Sequence, residues 1–428
     1  MKAPRRIRET RLSGEPPAPA SEASAHDGGH ADSGTPANGS GITRRSFLGS
    51  VGVGVALAGI GSELVTFASP ADAATTAPAL ATKRRVMARK VRTHAATLAY
   101  AQALPKHLTN NEEEDYPYVA NFSKGLAHNV LGEVDAAAYA AVLRALSTGV
   151  ASDFEAIPLG GTAKLRNPQA GLAFDLEGPD SHALAIRPAP RIDAAENSGE
   201  MAELYWMALA RDVAFTDYGT SPLIAAAGAD LSSMSDFRGP KVADTVTPGS
   251  IFRGPAAGEL FGPYVSQFLL KDIPYGSLTI SQRQRTLAPI TNYMTAYSEW
   301  ADIENGGPAA APQQFDSTPR HMRNGRDLAA YVQVDALYEA YLNACLILLA
   351  MNAPFDAGNP YAGYIKTDAF ATFGGPHVLT LVTEAATRAL KAVWYQKWYV
   401  HRRLRPEEFG GRVHNHRLGA ATYSIDAE

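Results

Sequence analysis

Apolar side chains along this chain recur mainly at the three- and four-residue spacing of an amphipathic helix, which constrains the fold more than any other feature. Alternating strand patterns are few, and no internal repeat of about 20 to 50 residues is found. The chain is therefore predicted to be all-α, a large helical bundle domain with long irregular loops. The clearest helical patterns cover residues 136–147, 198–213, 281–304, 326–351 and 377–404.

Punctuating residues suggest where some of these elements begin and end. Asp135 is placed to cap a helix that Gly149 would stop, and Ser198 is placed to cap the next strong helix. Residues 151–191 are rich in Gly and Pro and are predicted to be irregular chain over a core. The acidic run 111–115 is predicted to be a solvated loop, with a cation site as the less favoured alternative.

Composition and charge exclude several classes of protein. Of the 428 residues, 46% are hydrophobic and 19% charged, the balance of a soluble globular protein. The net charge of -4 gives no general attraction to nucleic acid, and we expect no nucleic-acid partner. Because Cys345 is the single cysteine, an intrachain disulfide or a cysteine-based metal cluster is excluded. Any anion or metal site must use His, Asp, Glu, Lys or Arg.

The N-terminal region is predicted to direct export. Residues 1–43 are read as a disordered leader and residues 44–73 as a twin-arginine signal peptide, with Arg44-Arg45, an apolar run and a small-residue cleavage site in order. The apolar run is shorter than the roughly 20 residues that span a bilayer. Residues 74–428 would then form the helical domain, in the periplasm or outside the cell, with membrane contact only in transit. A buried helix or an uncleaved anchor is the alternative.

The last predicted helix carries the pattern with chemical content. Lys397 continues an apolar stripe, so its ammonium would be partly buried and would need a partner. His401 and Arg405 follow at steps of four along roughly the same face, and Pro406 predicts that the helix ends near Leu404. Lys397 and Arg405 could together bind one small anion, helped by further nearby cations. The alternative is that these cations only offset the helix dipole at a solvated surface. The preceding stripe residues are Leu390, Val393 and Trp394.

At 397–411 the sequence Lys-Trp-Tyr-Val-His-Arg-Arg-Leu-Arg-Pro-Glu-Glu-Phe-Gly-Gly resembles the vanadium-dependent haloperoxidases. The likeness is greatest to the algal bromoperoxidase branch and its bacterial relatives, within the type 2 phosphatidic acid phosphatase superfamily. The eight-residue step from lysine to arginine-proline suits that branch. Further stretches with the same resemblance are 121–128, 132–134, 174–179 and 325–328.

The resemblance implies a cofactor, a reaction and roles for particular residues. Vanadate would be the cofactor, and its oxygens would accept hydrogen bonds from Lys397 and Arg405. Hydrogen peroxide, polarised by the bound ion and by Lys397, would oxidise a halide, most simply bromide, to hypohalite. His401 would act as pocket wall or proton relay, so Lys397 and His401 are the candidate catalytic residues. No protein ligand to a metal is assigned, and a homo-oligomer is expected to be possible.

The sequence also departs from the family. Two further motifs of the family site have no match, and no Ser-Gly-His triplet occurs in the chain. The histidines after the first motif, His414 and His416, stand in what is predicted to be a polar loop. We therefore expect a chain that is incomplete at its C-terminus and inactive by itself. A superfamily acid phosphatase and a non-catalytic secreted helical protein are the alternatives.

Overall fold

The protein is described from a computed structural model, which covers residues 77–175, 178–256, 258–309 and 312–428. The chain divides into two compact units, Met1–Val86 and Met87–Glu428. The described part of the first unit is the beginning of one helix. The predicted leader and signal peptide lie outside the described residues. Within the described part, no helix is both long enough and apolar enough to cross a membrane.

The described residues are mainly helical, which confirms the predicted fold class. One antiparallel hairpin pairs β1 (Ile273–Tyr275) with β2 (Leu278–Ile280), with Pro274 opposite Thr279. A π-helical turn covers Gln396–His401. The α-helices are α1 Ala77–Ala101, α2 Glu112–Asp115, α3 Ala136–Thr148, α4 Ala151–Glu155, α5 Ala195–Ala210, α6 Pro222–Ser233, α7 Tyr297–Glu304, α8 Gly325–Gln333, α9 Glu339–Ala350, α10 Gly375–Tyr395 and α11 Pro406–Arg417. Short 3₁₀ turns cover Pro168–Leu172, Ser181–Ala183, Phe215–Asp217 and Gln267–Leu269.

Helix α3 follows its sequence signals at both ends. The Asp135 carboxylate accepts a hydrogen bond from the Ala138 amide at 2.8 Å, which satisfies one of the free N–H groups of the first turn. Gly149 has a φ of 66°, a left-handed conformation that glycine adopts without strain, and its amide bonds to the Ala145 carbonyl. Both predicted boundaries are confirmed.

Replacing Asp135 with alanine should lower the free energy of unfolding by about 1 kcal/mol, because the amide of Ala138 loses its acceptor. Urea unfolding would measure the change. The matched control is Ser198→Ala, which should change stability by less than about 0.5 kcal/mol because Ser198 does not cap its helix. Equal effects of the two substitutions would contradict the capping role of Asp135.

Several predicted helix boundaries are wrong. Helix α5 begins at Ala195 after the extended residue Ala194, so Ser198 lies inside it. The pattern 281–304 forms a helix only from Tyr297, since its first part bridges to residues 315–320 instead. The pattern 326–351 is divided into α8 and α9, with Tyr338 in the left-handed region at φ 58°. In each case a tertiary contact or a local backbone conformation overrides the periodicity.

The acidic run is also different from its prediction as a solvated loop. Glu112 is 3% exposed, and its carboxylate accepts a hydrogen bond from the Ile192 amide at 2.8 Å. The neighbouring Glu113 accepts hydrogen bonds from Arg402 and Tyr139. These hydrogen bonds lower the pKa of Glu113 although burial alone raises it. Helix α2 therefore anchors the chain near the predicted site through Glu112 and Glu113, whereas Glu114 and Asp115 are exposed as predicted.

Two apolar clusters enclose the segment that follows α10. The first is built on α3 and includes Leu126, Val142 and Trp398. The second contains Met201 of α5 together with Leu404 and Phe409, and other members are Ala120 and Ile192. Burial of these side chains is the main force that fixes residues 398–409, since buried apolar area contributes roughly 25 cal/mol per Å².

Candidate functional site

The end of the long helix is shaped by a backbone feature that periodicity does not show. After α10 the chain continues through the π-helical turn Gln396–His401 and leaves helical geometry at Arg402, whose φ is 39°. The prediction of a helix to Leu404 is therefore wrong by about one turn. Residues 402–404 then pair with the chain at 120–122: the Phe122 amide donates to the Arg402 carbonyl at 2.7 Å, and the Leu404 amide to the Ala120 carbonyl at 3.2 Å.

Arg405 is extended and directly precedes α11, which begins at Pro406. Proline favours the first helical position because its missing N–H is not needed there, and it disfavours helical geometry in the residue before it. The predicted effect of Pro406 on Arg405 is thus confirmed. What the sequence did not predict is that a new helix starts at once.

Lys397 is half-buried among aromatic rings, as its place on the apolar stripe predicted. Its Nζ lies 4.6 Å from the ring centroid of Phe122, 5.2 Å from that of Trp394 and 5.3 Å from that of Trp398. Burial and the positive charge of Arg405 lower the pKa of Lys397. Among the described residues, no hydrogen bond or ion pair engages Nζ. Val393, predicted on the same stripe, is 54% exposed.

Arg405 is held by a carboxylate of the first turn of α11. Its Nε lies 2.7 Å from Oε1 of Glu407, and the same oxygen accepts a hydrogen bond from Lys124 Nζ at 2.9 Å. Lys124 Nζ is also 3.7 Å from Oε1 of Glu304. Burial raises the pKa of Glu407, but the hydrogen bond and charge of Lys124 outweigh it, and the pKa is lowered. The predicted cations Lys397 and Arg405 therefore lie close together, with Glu407 as a counter-ion on the Arg405 side.

Two fully buried carboxyl groups lie next to this cluster. Glu304 and Glu408 are both 0% exposed, and each affects the pKa of the other. Burial and the charge of Glu304 raise the pKa of Glu408 to about 8, so Glu408 is mainly protonated at neutral pH. Oε2 of Glu408 lies 3.2 Å from Ser123 Oγ, which is 3.0 Å from Nε2 of His128.

Glu408 should make stability fall as the pH rises. Its pKa is about 8 in the folded state and near its ordinary value of 4.5 when unfolded, so the folded chain binds more protons between these values. The contribution is fully present below pH 4.5 and is lost as the pH rises through 8. Glu408→Gln keeps a neutral side chain and should therefore show a smaller loss of unfolding free energy between pH 5 and pH 8 than the wild type.

Urea unfolding at both pH values would measure this difference. The control is Glu384→Gln, which removes a partly exposed carboxylate from α10 and should leave the wild-type pH dependence unchanged. The same pH dependence in the wild type and in Glu408→Gln would contradict the raised pKa of Glu408.

His401 is the last residue of the π-helical turn. Burial and the charges of His107 and Arg402 lower its pKa, so the imidazole is neutral at pH 7. Its buried Nε2 has no hydrogen-bond partner among the described residues. Because the helix ends at His401, the prediction that Lys397, His401 and Arg405 share one helical face is wrong.

The other basic side chains near the motif are occupied. Arg402 forms an ion pair with Glu113 across about 290 residues of chain, and Arg403 pairs with Glu200 and Asn197. Lys397 and Arg405 are thus the cations of this stretch that can face a small anion.

The two histidines after the motif belong to α11, so the prediction of a polar loop is wrong there. His414 stacks on Tyr297 with ring centroids 5.1 Å apart, and Nδ1 of His416 accepts a hydrogen bond from the Tyr423 amide at 3.1 Å. In the part of the chain that the structure covers, no cluster of three or more His, Cys, Asp or Glu side chains could hold a metal ion.

Sequence reasoning gave no role to four residues of the site. Glu407 and Glu408 lie within the motif 397–411, and Lys124 lies within the stretch 121–128. The sequence contains both stretches, but it does not show that their side chains are in contact. Glu304 closes α7 and has no motif around it. Only the fold shows that these side chains meet.

Comparison with known proteins finds close relatives. A vanadium-dependent bromoperoxidase of Ascophyllum nodosum is 39% identical over 71% of this chain and 57% of its own length. Those of Corallina officinalis and Corallina pilulifera are 35% and 36% identical, over 77% and 75% of this chain and 68% and 67% of theirs. The chain thus spans little more than half the length of the Ascophyllum relative. No protein-family model matches it.

The fold has a solved counterpart as well. The homohexameric structure of the second vanadate-dependent bromoperoxidase from Ascophyllum nodosum superposes with a TM-score of 0.74 at 29% identity. The match covers 87% of this chain and 62% of that one. The helical architecture is therefore shared along nearly the whole chain.

Proposed function

Since this chain belongs to the family of vanadium-dependent bromoperoxidases, we propose that Lys397 and Arg405 bind vanadate and that the site serves the oxidation of bromide by hydrogen peroxide. One observation carries the proposal. The ammonium of Lys397 is half-buried, is bordered by three aromatic rings and has no anionic side chain bonded to it among the described residues. A cation in this position favours an anion supplied from outside the chain.

The chemistry of the two side chains fits an oxyanion. Vanadate has the shape and charge of phosphate, to which a guanidinium presents a planar pair of donors and an ammonium a point charge. When bound, vanadate supplies a Lewis acid that polarises hydrogen peroxide without a change of oxidation state. The aromatic rings limit access of water to Lys397, which strengthens its hydrogen bonds to the bound anion. His401, neutral and with a free ring nitrogen, would accept or pass a proton at the edge of the site.

We also propose that the protein is exported and works in the periplasm or outside the cell. The twin-arginine pattern supports export to the periplasm or beyond. Fusing residues 1–73 to a reporter, with Arg44 and Arg45 both replaced by lysine as the control, would test it: export must depend on the arginine pair.

Since the solved relative is a homohexamer, we propose that this chain also forms a homo-oligomer, which light scattering of the purified protein would test.

Titration with orthovanadate tests the binding site directly. Trp394 and Trp398 border Lys397, so their fluorescence should change saturably as vanadate binds. Bromide oxidation with hydrogen peroxide and hydrolysis of a phosphate monoester would be assayed in parallel. Vanadate-dependent bromide oxidation supports the full reaction, and binding without turnover supports the anion site but not the reaction. Phosphate hydrolysis without bromide oxidation favours the phosphatase alternative, and absence of binding overturns the proposal.

A further inference from the structure

Glu407 Oε1 is shared between two cations, and this sharing fixes the carboxylate from both sides. Arg405 Nε lies 2.7 Å from this oxygen and Lys124 Nζ lies 2.9 Å from it. The Lys124 contact is a charge-assisted hydrogen bond, a strong kind of side-chain interaction, and the Arg405 contact is an ion pair. Glu407 also stands in the first turn of α11, where the helix dipole favours a negative charge.

The backbone of Glu407 is fixed as well. Its carbonyl accepts a hydrogen bond from Nε1 of the buried Trp300 at 3.0 Å. The Trp300 indole is wedged between Gly132 and Gly411, since a Cβ at either glycine would overlap the ring. The carboxylate of Glu407 therefore projects from a point that cannot move far without displacing a packed tryptophan.

The arrangement leaves one edge of the Arg405 guanidinium free. The Nε side faces Glu407, whereas the two terminal nitrogens have no hydrogen-bond partner in the described part of the chain. The Arg405 side chain is 46% exposed, so packing alone does not fix the plane of its guanidinium. Without Glu407 the group could turn among several rotamers, and an oxyanion would have to restrict it on binding.

We infer that Glu407, held in place by Lys124, is a positioning residue that orients the Arg405 guanidinium toward an oxyanion bound beside Lys397. The inference rests on the proposed function, because vanadate is the anion proposed there. The negative charge of Glu407 also repels the same oxyanion, which weakens its binding. Lys124 offsets part of that repulsion.

Two substitutions of Glu407 separate its charge from the side-chain oxygen that contacts Arg405 and Lys124. Glu407→Gln removes the charge but keeps an oxygen that can accept from both Arg405 and Lys124. Glu407→Ala removes the charge and the acceptor together. A difference in vanadate affinity between these variants therefore does not arise from the lost charge but from the lost acceptor or the lost side-chain packing. We expect Glu407→Ala to bind orthovanadate about fivefold to tenfold more weakly than Glu407→Gln, with Glu407→Gln equal to the wild type or tighter.

A double-mutant cycle with Arg405 completes the test. In an Arg405→Lys background the ammonium has no plane to orient, so Glu407→Ala and Glu407→Gln should bind vanadate equally. Affinities would be measured by tryptophan fluorescence on the full chain, below the melting temperature of every variant. The matched control pair is Glu384→Gln and Glu384→Ala on α10, which should not differ in affinity.

The outcomes distinguish this inference from the proposed function. If the wild type binds vanadate but the two Glu407 variants bind it equally, the positioning role is overturned and the proposed site stands. If their difference persists in the Arg405→Lys background, Glu407 acts through general stability and the positioning role is again overturned. If the wild type does not bind vanadate, both the inference and the proposed function fail.

Discussion

Replacing Lys397 with methionine should weaken vanadate binding about tenfold to a hundredfold, because hydrogen bonds to charged groups contribute about 1.5–3 kcal/mol each. Methionine keeps the length and most of the volume of the side chain, so the contacts with Phe122, Trp394 and Trp398 are retained. Folding should change little, since the substitution also removes a partly desolvated charge. Orthovanadate titration followed by tryptophan fluorescence measures the affinity.

Lys391 supplies the matched control on the same helix. Its ammonium is paired with Asp175 at 2.8 Å and has no contact with the aromatic rings around Lys397. Lys391→Met should leave vanadate affinity unchanged within about twofold. If the two lysine substitutions weakened binding equally, the effect would be one of overall charge, and the assignment of Lys397 to the site would be wrong.

The largest effect on stability is expected at Arg412. This guanidinium is 0% exposed, and its Nη1 donates to the Gly132 carbonyl at 2.7 Å and its Nε to the Val119 carbonyl at 3.4 Å. Its positive charge also lowers the pKa of Glu408 against the larger effect of burial. Arg412→Met would leave buried carbonyls without donors, and we expect a loss of about 2–5 kcal/mol in unfolding free energy.

Urea unfolding measures this loss, and Arg417→Met is its control. Arg417 lies on the same helix but is exposed, so its substitution should change stability by less than about 0.5 kcal/mol. Arg412→Met should also weaken vanadate binding, because α11 starts directly after Arg405 and carries Glu407. A stable Arg412→Met variant with normal affinity would show that the buried guanidinium is dispensable.

The sequence correctly predicts structural features that are determined by residues close together in the chain. The cap at Asp135 and the stop at Gly149 depend on contacts within a few residues, and both were read correctly. The apolar stripe correctly placed Lys397 among aromatic rings, because helical periodicity fixes direction over one or two turns, although Val393 of the same stripe is exposed. The cations of the proposed vanadate site could therefore be named from the sequence together with the family resemblance.

The incorrect predictions concern segments whose structure depends on contacts with residues distant in the sequence. The split of 326–351 and the loss of helix before Tyr297 follow from tertiary pairing that no periodic pattern contains. Glu113 pairs with Arg402, which is far away in the sequence. The sequence alone does not show this partner, and it therefore predicts a solvated acidic run. The roles of Lys124 and Glu407 depend on contacts between loops and α11, and residue type alone could not connect them.

The π-helical turn has a consequence for how this region tolerates insertions and deletions. A π turn holds about one residue more than an α-helical turn of the same height. The helix itself could accommodate the loss of one residue from 398–401 if the π turn became an α turn. Residues 402–404, however, are held by backbone hydrogen bonds to the chain at 120–122. Helix α10 would then have to rotate by roughly 100° about its axis, which would turn Lys397 away from its rings. The length of the lysine-to-arginine segment is thus fixed by backbone geometry at both ends.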